Sequence, residues 1–261
     1  MEKENLLKII VSTIASMNLP YEIKVKKEKW KADVVVDYGK YKVAFNIGKS
    51  PRNVAEQYAE MRSERVCGCW LLLPSKNPPY IETNYPCFSV SEDNTIALGS
   101  QKIELQTFIR SIVEGKVRYA KNIQAKAVEV CFYQKECWRC HKPSCLYMVV
   151  GVISENNIKF ELQDFDPDLS VNANIANGVQ RYLSLNPQTN IIMGEYKPRY
   201  SKTLRKSYPS FGCPYCDSLF GSFFSMDEQM ELIYEKDRLP HAIVELNNHI
   251  PFTVRQWYIM E

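Results

Sequence analysis

The apolar positions in the first part of the chain recur first at helical spacing and then at strand spacing. Residues from Leu6 to Met17 place apolar side chains on one helical face, and Pro20 ends the pattern, which predicts an amphipathic helix over residues 4–18. Alternating and β-branched stretches then predict three strands, the last two joined by a hairpin turn. These strands are Tyr21–Lys26, Ala32–Asp37 and Tyr41–Ile47.

A second helix and a fourth strand are predicted next. Ser50 and Pro51 have the residue types of a helix N-cap and first helical position, and few helix breakers follow up to about residue 65. The apolar run Cys69–Pro74 predicts a buried strand, which a crossover connection would place parallel to its neighbour. The predicted order is helix, three strands, helix, strand, which is typical of an α/β domain.

The rest of the chain has a weaker pattern. Residues 75–85 are rich in Pro, Asn and Tyr and predict a loop, and no element is assigned to residues 122–130. We expect a boundary between residues 118 and 128, which gives domains over 1–120 and 121–261. The further predicted elements are strands at 87–90, 95–98, 146–153 and 190–193 and helices at about 103–117 and 172–185.

Composition indicates a globular protein without a membrane span. The chain has 261 residues, of which 45% are hydrophobic and 24% charged, and the net charge is +3. No apolar run reaches the length of a transmembrane helix, and the first residues lack the features of a signal peptide. Nine cysteines, four of them in paired turns, are typical of a reducing compartment. We therefore expect a cytoplasmic protein.

Two Cys-x-x-Cys turns carry the strongest chemical signal. Cys137 and Cys140 form the first turn, and Cys213 and Cys216 form the second. Each turn directs two thiolates at one ion, so the four together predict a closed structural zinc site. Reduced core cysteines or a disulfide are the alternatives, although Pro214 and the polar residues around both turns favour exposed metal knuckles.

The sequence leaves the exact ligand set open and predicts a long segment between the two turns. His141 and Cys145 follow the first turn closely, and either could replace a cysteine as ligand. The turns are separated by 72 residues, since 213 − 140 − 1 = 72. This separation exceeds a usual zinc-ribbon loop, so we expect an insertion folded between the two knuckles.

The order of elements and several short motifs resemble those of a known family. The chain resembles the PD-(D/E)xK nuclease superfamily over about residues 1–120, and in particular the CoiA-like competence family. The nuclease-like segments are Ala32–Val34, Ala44–Gly48, Ser50 and Trp70–Leu72. The CoiA-like cysteine motifs are Cys137–Cys140, Ser201–Thr203 and Phe211–Gly221. The resemblance implies a restriction-endonuclease-like αβββαβ core followed by a zinc-ribbon-containing α+β domain.

The catalytic set implied by this resemblance is incomplete. Such nucleases hold Mg²⁺ or Mn²⁺ with two acids and position water with a Lys or Gln at the end of a strand. Asp33 matches the first acid, Asn46 stands where the second is expected, and Gly48 takes the Lys or Gln position. Lys49 is the nearest cation, but strand alternation points it to the other face unless a bulge intervenes. The pattern favours loss of activity, with Asp37, Glu56 and Glu60 as nearby acids.

Two clusters of basic residues are candidates for binding a nucleic-acid partner. The second cluster is interleaved with tyrosines and predicts a nucleic-acid contact surface, with a solvated loop as the alternative. Its cations are Lys197, Arg199, Lys202, Arg205 and Lys206. The first cluster, within Lys24–Lys31, is a weaker signal, because strands with alternating lysines commonly present only a polar face or a protected edge.

These patterns together predict a nucleic-acid-associated protein, with DNA favoured. The resemblance implies a role in DNA processing or defence, with zinc as structural cofactor. Two alternatives stay open: an active nuclease that uses Mg²⁺ or Mn²⁺, and a non-enzymatic interaction subunit. The three histidines are scattered and indicate no nucleophilic site.

Overall fold

The structure is a computed structural model that describes residues 2–75, 82–99, 101–162 and 166–260. These residues form a mixed α/β protein with five α-helices and several sheets. The chain divides into two compact units, the first comprising Met1–Lys121 with Arg255–Glu261, and the second Asn122–Val254. No helix in the described ranges is long and apolar enough to cross a membrane.

Unit 1 is built on a five-stranded sheet. The strand order is β1-β2-β3-β4-β5, with β1, β2 and β3 antiparallel and β4 and β5 added in parallel. The elements are α1 (Lys3–Ser16), β1 (Tyr21–Lys26), β2 (Lys31–Asp37), β3 (Lys42–Gly48), α2 (Val54–Ser63), β4 (Val66–Leu72) and β5 (Cys87–Ser89). The predicted order of the first six elements and the parallel pairing of β4 with β3 are confirmed.

Helices cover both faces of this sheet. Because side chains alternate along a strand, Val34 and Val36 enter one core with α1, whereas Val35 enters a second core with α2. The first core also receives α3 (Leu105–Val113), which follows the antiparallel hairpin of β6 (Thr95–Leu98) and β7 (Gln101–Glu104). The indole of Trp30 closes the second core and donates to Glu64 over 2.9 Å.

Unit 2 contains a four-stranded sheet of order β10-β9-β8-β13. The strands are β8 (Val117–Glu136), β9 (Pro143–Ser154), β10 (Lys159–Glu161) and β13 (His241–Ile259); β8 begins in unit 1, and β13 ends there. A separate hairpin pairs β11 (Tyr196–Ser201) with β12 (Lys206–Phe211). The helices are α4 (Ala173–Leu185), α5 (Ser222–Leu232) and three 3₁₀ segments, Pro167–Val171, Pro187–Thr189 and Ile233–Arg238.

Helix α4 packs closely on β13 through a glycine. A Cβ atom at Gly178 would lie 3.0 Å from the Glu245 carbonyl oxygen, so a larger side chain would push the two elements apart. Arg181 on the next turn donates to the same carbonyl over 2.7 Å. The helix predicted at residues 172–185 is confirmed, with Asn172 as its N-cap.

Several sequence predictions are wrong in detail. Helix α2 begins at Val54 rather than at Pro51, because Asn53 takes a left-handed φ of 55° that precedes the first helical turn. Residues 190–193 form no strand, because Asn190 is also left-handed. The Cys145 amide donates one hydrogen bond to the Ile192 carbonyl oxygen, in place of a ladder of strand hydrogen bonds. Helix α3 is shorter than predicted because β7 takes the residues before Leu105 and the chain turns at Gly115, which has a φ of 71°.

One further segment differs from its prediction, and another lies partly outside the described residues. Residues 122–130, left unassigned, belong to the long strand β8, whose pairing shifts register at two places and so obscures a strand period. The loop predicted at 75–85 falls partly on residues 76–81, which lie outside the described residues.

Candidate functional site

The four predicted cysteine ligands converge in unit 2. Their sulfur atoms all lie within 4.8 Å of one another. The Cys137 and Cys216 sulfurs are 3.6 Å apart, and those of Cys140 and Cys213 are 3.5 Å apart. These distances are far longer than a disulfide bond of about 2.05 Å and close to the roughly 3.8 Å between sulfurs around a tetrahedral zinc ion. The cluster has the chemistry and spacing of a site that could hold a metal ion such as zinc.

The two knuckles are built in the same way. In the first, the His141 amide donates to the Cys137 carbonyl, and the Cys137 amide donates to Lys142. In the second, Asp217 and Ser218 stand in the same positions relative to Cys213 and make the same two bonds. The fifth residue of each turn is left-handed, with φ of 57° at His141 and 58° at Asp217. This equivalence indicates that both turns present their sulfurs to one common centre.

Neither alternative ligand joins the centre. The His141 ring is exposed, and its Nδ1 atom lies 2.7 Å from the Glu136 carboxylate. Cys145 lies in β9, where burial raises the pKa of its thiol. Among the described residues, the only group with metal-ligating geometry is the set of four cysteines. A hydrogen bond with Ser218 lowers the pKa of Cys216 to about 6, whereas the pKa of Cys140 in the same cluster is raised to about 12.

Arg199 is a buried support for the second knuckle rather than a surface cation. Its guanidinium binds the Asp217 carboxylate at 2.6 Å and lowers the pKa of that group. The same guanidinium donates to the carbonyl oxygens of Glu195, Lys197 and Ser210. A Cβ atom at Gly212 would lie 2.5 Å from the Arg199 guanidinium, so only glycine leaves space for the guanidinium. Arg199 therefore connects the hairpin to the second knuckle. Because it is buried, it does not belong to the predicted nucleic-acid contact surface.

The other cations of that cluster are exposed on the β11–β12 hairpin. Lys202, Arg205 and Lys206 lie at its tip and form no ion pair with a described residue. Lys197 lies further down the hairpin and is shared between Glu195 and Asp217, at 3.4 and 3.2 Å. Three cations that have no ion pair among the described residues therefore lie at the tip of the hairpin.

A larger basic site lies in unit 1, where a cleft of about 850 Å³ opens beside the edge strand β1. Seven cations and three acids line it. The cations are Lys3, Lys24, Lys26, Lys27, Lys29, Lys31 and Arg52, and the acids are Glu28, Asp33 and Glu56. Lys26 and Lys31 stand directly opposite each other on β1 and β2, a like-charge pairing that destabilises a sheet. The cleft therefore has an excess of positive charge that an anion would relieve.

Asp33 and Asn46 lie together in this cleft, as the sequence led us to expect. The pairing of Val34 with Phe45 places the two residues opposite each other. Both Asp33 oxygens are engaged: Oδ1 pairs with the Lys3 ammonium at 2.7 Å, and Oδ2 accepts from the Ile47 amide at 2.7 Å. Lys3 thus holds the position beside the carboxylate that a metal ion would need.

The remaining candidates do not complete a metal site. Lys49 is exposed and is not among the described residues that line the cleft. Of the three nearby acids, only Glu56 lines it; Glu60 pairs with Lys29, and Asp37 pairs with Lys42. The Asn46 amide nitrogen is buried without a hydrogen-bond partner among the described residues. A neutral amide and one neutralised carboxylate are a weak ligand set for Mg²⁺.

Sequence reasoning missed Lys3 and underestimated Lys24. Lys3 precedes the apolar stripe of α1, and nothing local in the sequence connects it to Asp33. Lys24 lies opposite Asp33 in register and has a φ of 53°, rare for a non-glycine residue inside a strand. Such backbone outliers cluster at functional sites. The alternating lysines of β1 were the only available signal.

Searches against protein-family models, curated proteins and solved structures find no match for this chain.

Proposed function

We propose that the protein binds nucleic acid in the cleft of unit 1 without cutting it, and that the four cysteines hold a structural zinc ion in unit 2. The observation that supports binding most directly is the excess of cations around the cleft. Five of them, Lys24, Lys26, Lys27, Lys31 and Arg52, form no ion pair with a described residue. A row of free cations of this kind neutralises backbone phosphates.

The environment of Asp33 supports binding rather than hydrolysis. Hydrolysis by this type of site needs a divalent cation held by at least two acids. Here the carboxylate is already neutralised by Lys3, and its neighbour Asn46 carries no charge. A phosphate placed near Lys3 and Lys24 would be held by ammonium groups, which bind but do not activate water as a metal does.

The resemblance to the CoiA-like family fits this proposal. On this view unit 1 has a nuclease-like core that has lost its metal, and unit 2 has a zinc-ribbon-like centre with a long insertion. We extend the proposal to DNA as the favoured partner, to DNA processing or defence as the setting, and to the cytoplasm as the location. The hairpin cations Lys202, Arg205 and Lys206 would form a second contact surface.

One experiment separates this function from an active nuclease and from an interaction subunit. Single- and double-stranded DNA and RNA are incubated with the protein in Mg²⁺, in Mn²⁺ and in EDTA, and both binding and cleavage are measured. We expect salt-sensitive binding that persists in EDTA, with no cleavage. Metal-dependent cleavage that is lost in Asp33→Ala would instead establish a nuclease, and absence of both binding and cleavage would favour an interaction subunit.

A further inference from the structure

Two aromatic side chains stand on the outside of the cysteine centre, one in each Cys-x-x-Cys turn. Trp138 is 66% exposed and Tyr215 is 45% exposed. Large aromatic side chains usually gain stability by burial. Because each ring lies within one of the two turns that form the centre, both rings are open to a ligand beside that centre.

Each ring is held by the opposite knuckle. The Trp138 indole N–H donates to the Leu219 carbonyl oxygen over 3.0 Å, just beyond the second turn. The Lys142 ammonium, just beyond the first turn, lies 4.9 Å from the centre of the Tyr215 ring. The rings are thus fixed in place by reciprocal contacts across the centre while much of their surface stays open to solvent.

Fixed, exposed rings beside positive charge are suited to stacking with unpaired bases. A ring that is already ordered loses little conformational entropy when a base stacks on it. Arg139 lies between Trp138 and Cys140, is exposed, and forms no ion pair with a described residue. Together with Lys142 it supplies positive charge for the phosphates that accompany the stacked bases.

We infer that the zinc knuckles form a stacking platform, consisting of Trp138 and Tyr215 with Arg139 and Lys142, that binds unpaired bases of single-stranded nucleic acid. This inference rests on the proposed function, because it names the strand form that the protein prefers. It assigns base contacts to unit 2, in addition to the phosphate contacts that the cleft of unit 1 makes.

The test compares two fluorescent oligomers of about 15 nucleotides, a thymidine homopolymer and an abasic homopolymer with the same phosphate charge. We expect the wild-type protein to bind the thymidine oligomer at least about fivefold more tightly, the lower limit for stacking of one base. Trp138→Leu and Tyr215→Leu, which keep an apolar side chain but lose the ring, should each reduce this preference and leave the abasic affinity unchanged. Tyr234→Leu removes a ring that is 92% exposed elsewhere in unit 2, and it should change neither affinity.

The outcomes separate the two proposals. Equal wild-type affinity for both oligomers would overturn the stacking platform and leave phosphate binding intact. Binding of neither oligomer would overturn the platform, and the assay with double-stranded DNA and with RNA would then decide the proposed function. Because the wild-type comparison needs no substitution, equal affinities would overturn the platform even if a variant loses zinc. Variants that retain zinc, measured by elemental analysis, and keep the full preference for bases would also overturn the platform.

Discussion

The cysteine centre and the basic cleft are both clusters of chemically similar groups, but they need ligands of opposite charge. In unit 2, four sulfur ligands lie within 4.8 Å of one another and together need a cation. In unit 1, seven cations face three acids around one cleft and together need an anion. The centre is held by matched backbone bonds in two turns, whereas the cleft is assembled from side chains of separate elements. The comparison teaches that the ligand of a site is indicated by the charge that the site leaves unbalanced.

The largest expected effect is loss of the metal from the cysteine centre. Cys213→Ser removes one of four ligands, and structural zinc contributes on the order of 10 kcal/mol to folding. We expect one zinc ion per wild-type chain by elemental analysis, none in the variant, and loss of cooperative thermal unfolding for unit 2. Cys145→Ser, which removes a thiol outside the centre, is the control. A Cys213→Ser protein with zinc and a wild-type melting curve would contradict the assignment.

Breaking the support behind the second knuckle should have the next largest effect. Arg199→Ala removes the donor from three backbone carbonyls and leaves Asp217 with Lys197 alone, which should lower the free energy of unfolding by about 2–4 kcal/mol. Denaturant unfolding measures this loss. Lys206→Ala, which removes an exposed cation of the same hairpin, should cost less than about 0.5 kcal/mol. Equal costs for the two variants would mean that Arg199 is not a support.

A second acid in the cleft should make the cleft bind a cation, as the cysteine centre is expected to do. Asn46→Glu with Gly48→Lys should strengthen Mn²⁺ binding, measured by calorimetry, at least about tenfold, because a second carboxylate then faces Asp33. Gly48 has no atom within 4 Å of an added Cβ, so the lysine has space. Adding Lys3→Ala should strengthen binding further by freeing Asp33. Asn46→Gln with Gly48→Lys is the neutral control, and equal Mn²⁺ binding by both proteins would argue against a degenerate metal site.

The hairpin should show the smallest effects, one cation at a time. Lys202→Gln, Arg205→Gln and Lys206→Gln should each reduce the slope of log affinity against log salt by about 0.7–0.9. Lys197→Gln should change it less, because Lys197 is already paired with Glu195 and Asp217. Unchanged slopes in all four variants would show that the hairpin is a solvated surface.

The two sites also differ in how far the sequence predicts them. The cysteine ligands could be identified because each pair is local, and a turn of four residues fixes how its two thiols point. The contact between Lys3 and Asp33 depends on the packing of α1 against the sheet, which no spacing reveals. Arg199 was predicted as a surface cation because its burial depends on Asp217 and on the space at Gly212, both of which follow only from the folded hairpin.

The same distinction holds for the fold. Helix α1 could be predicted from its helical period, and strands β1 to β4 from alternation, β-branched residues or an apolar run. Strand β8 could not, because its register shifts break the alternation. The start of α2 was misplaced because the left-handed conformation of Asn53 depends on how the chain leaves β3.

The most direct test of nucleic-acid binding in the cleft is the salt dependence of a charge-neutral cleft variant. Lys24, Lys26 and Lys31 are replaced by Gln together, and a control protein carries Gln at Lys8, Lys40 and Lys121, which are exposed and do not line the cleft. The slope of log affinity against log salt for DNA should fall by about 2–3 in the cleft variant and stay near the wild-type value in the control. A cleft variant whose slope and affinity match those of the control would contradict the proposal.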